Sequence, residues 1–351
     1  MKARQITLAD LAKELNVSSA TVSRALKDHP DISLETRQKV KDLAQKLNYR
    51  PNTIAQGLRK QESKILGVII PEIVHHFFSS VISGIMETAN TAGYRVMICQ
   101  SMEMYSKEVE DVEALFSSRV DGILISLANE TSNFDHLRKI KNYGLPVVSF
   151  DKVCYEIKDH SMVIIDDFEG AYNIIEHLIN AGYDKIAHFH GPLNPITSQN
   201  RLNAYLKALK DHNIPKNEDY IIGCDKVTQQ EGYEFTKQLI NMPNRPNAIF
   251  AVTDLVAIGA MVAIKEAGLR IPEDIAVVGF SNWAMASVVE PALTTVAQPG
   301  FEMGKIATSL LIDEIKYLHS DSEQAYKYQT KILKTKLMIR ESTVKTSVLA
   351  S

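Results

Sequence analysis

The sequence predicts a small all-α head carrying a helix-turn-helix, a short hinge helix, and a two-lobed α/β core. Three observations lead there. A chain of 351 residues exceeds what one hydrophobic core organises and fits two or three domains. Three short capped helical patterns fill the first fifty residues. From Ile65 onward, short apolar runs alternate with helical stretches in the rhythm of parallel βαβ units. With 45% apolar and 23% charged residues, disorder, collagen-like repeats and extreme charge enrichment are poor descriptions of the chain.

The net charge of −3 is unevenly spread. Residues 1–60 hold 12 Lys or Arg against 6 Asp or Glu, so a +6 segment precedes a −9 remainder. A polyanionic partner fits only the first. Cys99, Cys154 and Cys224 are too scattered for a metal-ligand pair or a disulfide framework, which points to a reducing compartment. No apolar leader follows Met1 and no run of 18 apolar residues occurs, so a cytoplasmic protein without membrane contact is expected.

The head is read helix by helix. Thr7 and Asp10 have capping-box spacing, and Leu8, Leu11, Ala12 and Leu15 then share one helical face. Asn16 tolerates a left-handed turn. Ser18 caps a second short helix whose buried stripe is Val22, Ala25 and Leu26, exposing Ser19, Ala20, Thr21, Ser23 and Arg24. Ser33 opens a third helix, and Val40, Leu43, Ala44 and Leu47 close a small core. A helix of this kind fits a duplex major groove, where an arginine such as Arg24 pairs bidentately with guanine; taken alone, Arg24 is equally an ordinary solvent-facing residue. Pro51 interrupts the third helix, Asn52 caps a hinge helix, and Gly57 keeps it marginal.

In the core, strands are expected at Ile65–Ile70, Tyr94–Cys99, Gly122–Leu127 and Pro146–Phe150 for one lobe. Lys185–His190, Tyr220–Gly223, Ala248–Val252 and Ile275–Phe280 supply the other. Helices are expected over Phe78–Ala92, Lys107–Ser117, Gly170–Ala181, Asn200–His212 and Val256–Gly268. Loops at the strand ends would surround a cleft suited to a small ligand. Asp151, Arg201 and Asp254 adjoin these segments, and Phe77 and Trp283 are candidate apolar walls. Each acid or base is otherwise an intramolecularly paired or exposed side chain, and each aromatic otherwise fills a core.

The runs Ile6–Ala12, Val17–Arg24 and Leu47–Asn52 closely resemble the lactose/galactose repressor family of bacterial transcription regulators. The resemblance implies a DNA-binding head (1–50), a hinge helix (51–61) and a periplasmic-binding-protein-like core. It also implies discontinuous lobes: 62–162 with about 291–325, then 163–290 with about 326–342, and a tail at 343–351. It implies base contacts from Ser19, Ala20 and Arg24, with Thr7, Ser18, Thr21, Ser23, Ser33 and Thr36 supporting helices or approaching phosphates. Asn52, Ala55 and Leu58 would follow the minor groove, with Leu58 as a wedge that bends operator DNA. In the cleft it implies effector contacts by Phe77, Asp151, Thr197, Arg201, Asp254 and Trp283. Lys226 stands where some relatives carry an apolar wall and Ser281 where an acid is common, which argues against lactose-like and purine-like effectors alike.

Enzyme signatures are missing. There is no phosphate-binding Gly-rich loop, dinucleotide turn or zinc helix in the sequence. His188 and His190, the adjacent His75 and His76, and the three cysteines form no convincing constellation, and Asp166–Asp167 reads best as a loop cap or an interface. The expectation is a non-enzymatic, cofactor-free homodimeric repressor of carbohydrate-utilisation genes that binds double-stranded operator DNA and a sugar-like effector. The alternatives are an activator or corepressor-dependent regulator responding to a non-sugar metabolite, a stand-alone ligand-binding module, or a fold-related enzyme.

Overall fold

A computed structural model describes residues 6–49, 62–73, 76–321 and 324–345. The chain forms two compact units, Met1–Ser63 and Lys64–Ser351.

The first unit contains α1 (Leu8–Glu14), α2 (Ser19–Ala25) and α3 (Leu34–Lys46). Their starts follow the expected caps. The Thr7 hydroxyl accepts the Asp10 amide at 3.3 Å while Asp10 accepts the Thr7 amide at 2.9 Å. Ser18 accepts the Thr21 amide at 3.0 Å, and Ser33 accepts the Thr36 amide at 3.3 Å. Asn16 adopts φ 53°, the left-handed turn that lets α1 and α2 meet. Leu11, Ala12, Val22, Ala25, Val40 and Ala44 form the core of the head.

The second unit has two six-stranded sheets. In the first, β1 (Ile65–Ile70), β2 (Arg95–Gln100), β3 (Gly122–Ile125), β4 (Val147–Phe150), β5 (Ser161–Ile165) and β11 (Thr330–Leu333) lie in the order β11-β5-β4-β3-β1-β2. All neighbouring pairs are parallel. In the second, β6 (Ile186–His190), β7 (Ile221–Gly223), β8 (Ala248–Ala251), β9 (Ala276–Ser281), β10 (Thr294–Ala297) and β12 (Lys336–Met338) lie in the order β12-β10-β9-β8-β6-β7. Only β12 runs antiparallel to its neighbour. Helices α4 (His76–Thr91), α5 (Tyr105–Ser117), α6 (Asp135–Asn142), α7 (Asp167–Asn180), α8 (Ile196–Asp211), α9 (Gln229–Ile240), α10 (Asp254–Glu266) and α11 (Gly300–Leu318) complete the unit.

Two helix pairs approach to backbone contact through glycines. On α4 and α11, a Cβ at Gly84 would sit 2.0 Å from the Phe301 carbonyl oxygen, and one at Gly304 would sit 2.1 Å from that of Val81. On α9 and α10 the same reciprocity holds, with 2.1 Å from Gly232 to the Val256 oxygen and 2.0 Å from Gly259 to that of Gln229. Only hydrogen fits at these four positions.

The expected lobe boundaries need correction. Strand β10 belongs to the second sheet rather than the first, and β11 pairs with β5 in the first rather than joining the second. The chain thus crosses between sheets after Ile165, after Ala297 and after Leu333, and residues 163–165 stay with the first sheet. Strand pairing partners decide this, and local composition does not encode them. The expected tail also starts too early. Thr343 is buried, bonded to His177 Nε2 and to Thr294 Oγ1, each at 2.9 Å. Strands β5, β10, β11 and β12 and helices α6, α9 and α11 are not among the elements expected from the sequence. Among the described residues, no helix is long and apolar enough to cross a membrane.

Candidate DNA-reading face and effector cleft

In the head, burial of Val22 and Ala25 turns the opposite side of α2 outward. Ser19, Ala20 and Arg24 are exposed there, with Thr21 and Ser23 half-buried beside them. The hydroxyl groups of Thr7, Ser18 and Ser33 are occupied as caps. Those of Thr21 and Thr36 lie 2.9 Å from Ser18 Oγ and Ser33 Oγ respectively. Lys39 pairs with Glu35 and Lys41 with Asp28, while Arg37 Nε donates to the Ile32 carbonyl at 2.9 Å. Arg24 makes no ion pair among the described residues, so α2 presents one unneutralised cation next to two small side chains. Asn52, Ala55 and Leu58, with the whole expected hinge, lie outside the described residues.

In the core, Asp151 follows β4 in the left-handed conformation, φ 60°, with its side chain buried. Burial pushes its carboxyl up to about 6, opposed by Lys152 and Arg201 and reinforced by Asp167. Its one described side-chain hydrogen bond, from Ser126 Oγ, is long at 3.4 Å. Arg201 projects from α8 and is also buried. Its Nε and Nη2 reach Asp167 Oδ1 at 2.8 and 2.7 Å, and its Nη1 donates to the Val252 carbonyl at 3.0 Å. The guanidinium lies 3.8 Å from the centre of the Phe280 ring. Three of its N–H groups are therefore committed within the protein, and about two remain for a ligand. Burial raises the Asp167 carboxyl too, with Arg201 opposing.

Asp254 has another occupation. Its Oδ1 accepts from Thr295 Oγ1 at 2.5 Å and its Oδ2 from the Trp283 amide at 2.6 Å. Burial pushes this carboxyl to about 6 against those bonds. It fixes the loop in which Ser281 and Asn282 have φ 123° and 51° and in which Trp283 is half-buried. Thr197 is buried one turn before Arg201 on the same face of α8.

Phe77 and Lys226, the other expected contacts, differ in burial. Phe77 is buried in the core with its ring edge-on to Phe78, centroids 5.3 Å apart. Lys226 is exposed, its amide held by Glu231 at 3.0 Å. The reading from sequence missed Asp167, Phe280 and Thr295. Asp166 is indeed the cap, accepting the Glu169 amide at 2.8 Å, and that correct assignment hid its neighbour, which turns inward to Arg201.

Burial pushes the His188 imidazole down to about 3, and its ring stacks on Phe250 at 4.5 Å. His76 begins α4, and His75 lies outside the described residues. Among the described residues no three acids, histidines or cysteines cluster as metal ligands.

Residues 7–52 match the model for bacterial regulatory proteins of the lacI family, and residues 175–343 match that for a periplasmic binding protein-like domain. The chain is 33% identical to the NTD biosynthesis operon regulator NtdR of Bacillus subtilis, covering 96% of this chain and 99% of the relative. It is 32% identical to catabolite control protein A of Priestia megaterium, covering 90% and 94%.

The chain belongs to the lacI family.

That family consists of transcription regulators, and its members include the repressor CytR of Escherichia coli, 32% identical over 96% of each chain. The lac repressor dimer bound to operator and the anti-inducer ONPF superposes with a TM-score of 0.84 at 28% identity, covering 97% of this chain and 100% of the other. A CelR–cellobiose complex gives 0.72 at 25% identity, covering 96% and 100%. The helical head and the two-sheet core are thus those of a lacI-family regulator.

Proposed function

We propose that the protein is a homodimeric transcriptional repressor whose heads read a pseudo-palindromic operator and whose core binds a small, sugar-like effector. The observation that carries this reading is the joining of a capped helix-turn-helix head to a two-sheet core within one lacI-family chain. Relatives and solved structures match it over nearly its full length. Two-fold symmetry pairs the heads with operator half-sites. Ser19, Ala20 and Arg24 contact base edges, Ala20 through its methyl group alone. Asn52, Ala55 and Leu58 follow the minor groove, with Leu58 bending the duplex.

In the core, Asp151 accepts effector hydroxyl protons while the two remaining Arg201 N–H groups donate to effector oxygens. The Asp167–Arg201 pair presents polar groups without net charge, which favours a neutral polyol over a phosphorylated one. Effector binding changes lobe closure and weakens operator binding, and operator weakens effector binding by the same factor. The protein works by binding and not by turnover, in the bacterial cytoplasm where operator DNA lies.

Selection of genomic fragments by the purified full-length protein tests the reading. A symmetric motif should emerge, weakened uniformly by added effector. Recovery of no preferred sequence would defeat it.

A further inference from the structure

The three chain crossings between the sheets all adjoin β5, β11, β10 and β12, the strands at one side of each sheet. A hinge confined to that side leaves the other side free to part. There the loop after β6 reaches the loop after β3. Asn194 Nδ2 donates to the carbonyls of Asn129 and Thr131, both at 2.8 Å. In the strand order β3 is two places from β5, and β6 is three places from β10. At the usual strand spacing these contacts stand about 10 to 14 Å from the hinge. An opening of about 15° would separate the loops by about 3 Å at that radius, which is enough to break both bonds.

Each side of the contact is braced in advance. Gln199 Nε2 donates to the carbonyls of Leu193 and Asn194 at 2.7 and 3.2 Å. Opposite, fully buried Glu108 accepts the Ala128 amide at 2.6 Å and the Thr131 hydroxyl at 3.0 Å. Glu103 accepts the Asn129 amide at 2.7 Å. Lys152 Nζ joins Glu103 at 2.7 Å to the Asn129 side-chain oxygen at 2.8 Å. Lys152 directly follows Asp151.

We propose that Asn194 is a latch holding the two sheets closed on the side away from the crossings, and that Lys152 is the positioning residue that keeps its Asn129 acceptor in place beside Asp151. Opening the core on that side then breaks two hydrogen bonds made by one exposed side chain. A change at Asp151 is transmitted along the backbone to Lys152 and on to the latch. The inference stands on the two-sheet core and needs neither the operator nor the effector.

It is tested by pulsed dipolar spectroscopy on the full-length chain, with Cys99→Ser and spin labels at Ser117 on α5 and Lys210 on α8, diluted with unlabelled protein. Asn194→Ala and Asn194→Asp, both at an exposed position, should broaden the distance distribution and move it outward by at least about 3 Å, since the labels lie further from the hinge than the loops do. Lys152→Met should shift it in the same direction. Distributions that stay at wild type in both Asn194 variants would overturn the latch. Wild-type behaviour of Lys152→Met alone would remove the link to Asp151.

Discussion

Asp151 and Asp254 carry the same side chain, and burial raises both carboxyls to about 6, yet their surroundings give them different work. Asp254 has both oxygens engaged by Thr295 and Trp283, and replacing it by Ala strands those donors in the interior. We expect Asp254→Ala to cost about 3 kcal/mol in denaturant unfolding of the core. Asp151 has one long described bond, so its carboxylate keeps acceptor capacity that Asp254 has already used. Its folded pKa lies above the ordinary carboxyl value, so ionisation is a penalty absent below about pH 4, growing to about pH 6 and complete above. Asp151→Asn should accordingly stabilise the core by about 3 kcal/mol at pH 7.5 and by little at pH 4, while abolishing the effector response. Equal gains at both pH values would contradict this account. At the residue scale, sequence singled out Asp151, Arg201 and Asp254 but could not tell a carboxylate already engaged by the fold from one with spare acceptor capacity. That distinction depends on Thr295, 41 residues away from Asp254.

Among the elements, those with local signals were legible. The caps at Thr7, Ser18 and Ser33 fall where side-chain oxygen, spacing and apolar stripe agree. Ser18→Ala should lower the stability of the head by about 1 kcal/mol, visible as a lower head melting temperature with the core transition unmoved. Helices α6, α9 and α11 escaped because their packing surfaces come from neighbours distant in sequence. For α9 and α11 those surfaces include the crossings at Gly232 and Gly304. A methyl group at Gly259 or Gly84 would meet a backbone oxygen that cannot rotate away. Gly259→Ala and Gly84→Ala should each cost about 3 kcal/mol in thermal or denaturant melts, at the upper end of overpacking penalties. Losses below about 1 kcal/mol would show that the helices slide apart freely.

Across the whole molecule, charge is divided as function requires, with the +6 segment in the DNA-reading unit and the −9 remainder in the core. Specific operator affinity should fall by about a thousandfold or more between 50 and 200 mM salt if at least about six phosphates are contacted, whereas a neutral effector should bind the core almost equally at both. Fluorescence anisotropy with labelled operator and calorimetry with the effector would check the two halves of that expectation. A flat salt response of the operator complex would place DNA binding outside the basic head.

What the sequence determined by itself is whatever rests on short-range chemistry. Helix caps, apolar runs, the turn at Asn16, the charge division and the motif order that marks the family all act over a few residues. Only the tertiary structure decided that β10 and β11 exchange sheets, that Asp167 rather than its neighbour holds Arg201, and that Asn194 bonds to Asn129 and Thr131. Each of those outcomes is a pairing between groups far apart along the chain, and the free energy of such a pairing depends on a geometry that exists only once the sheets have formed.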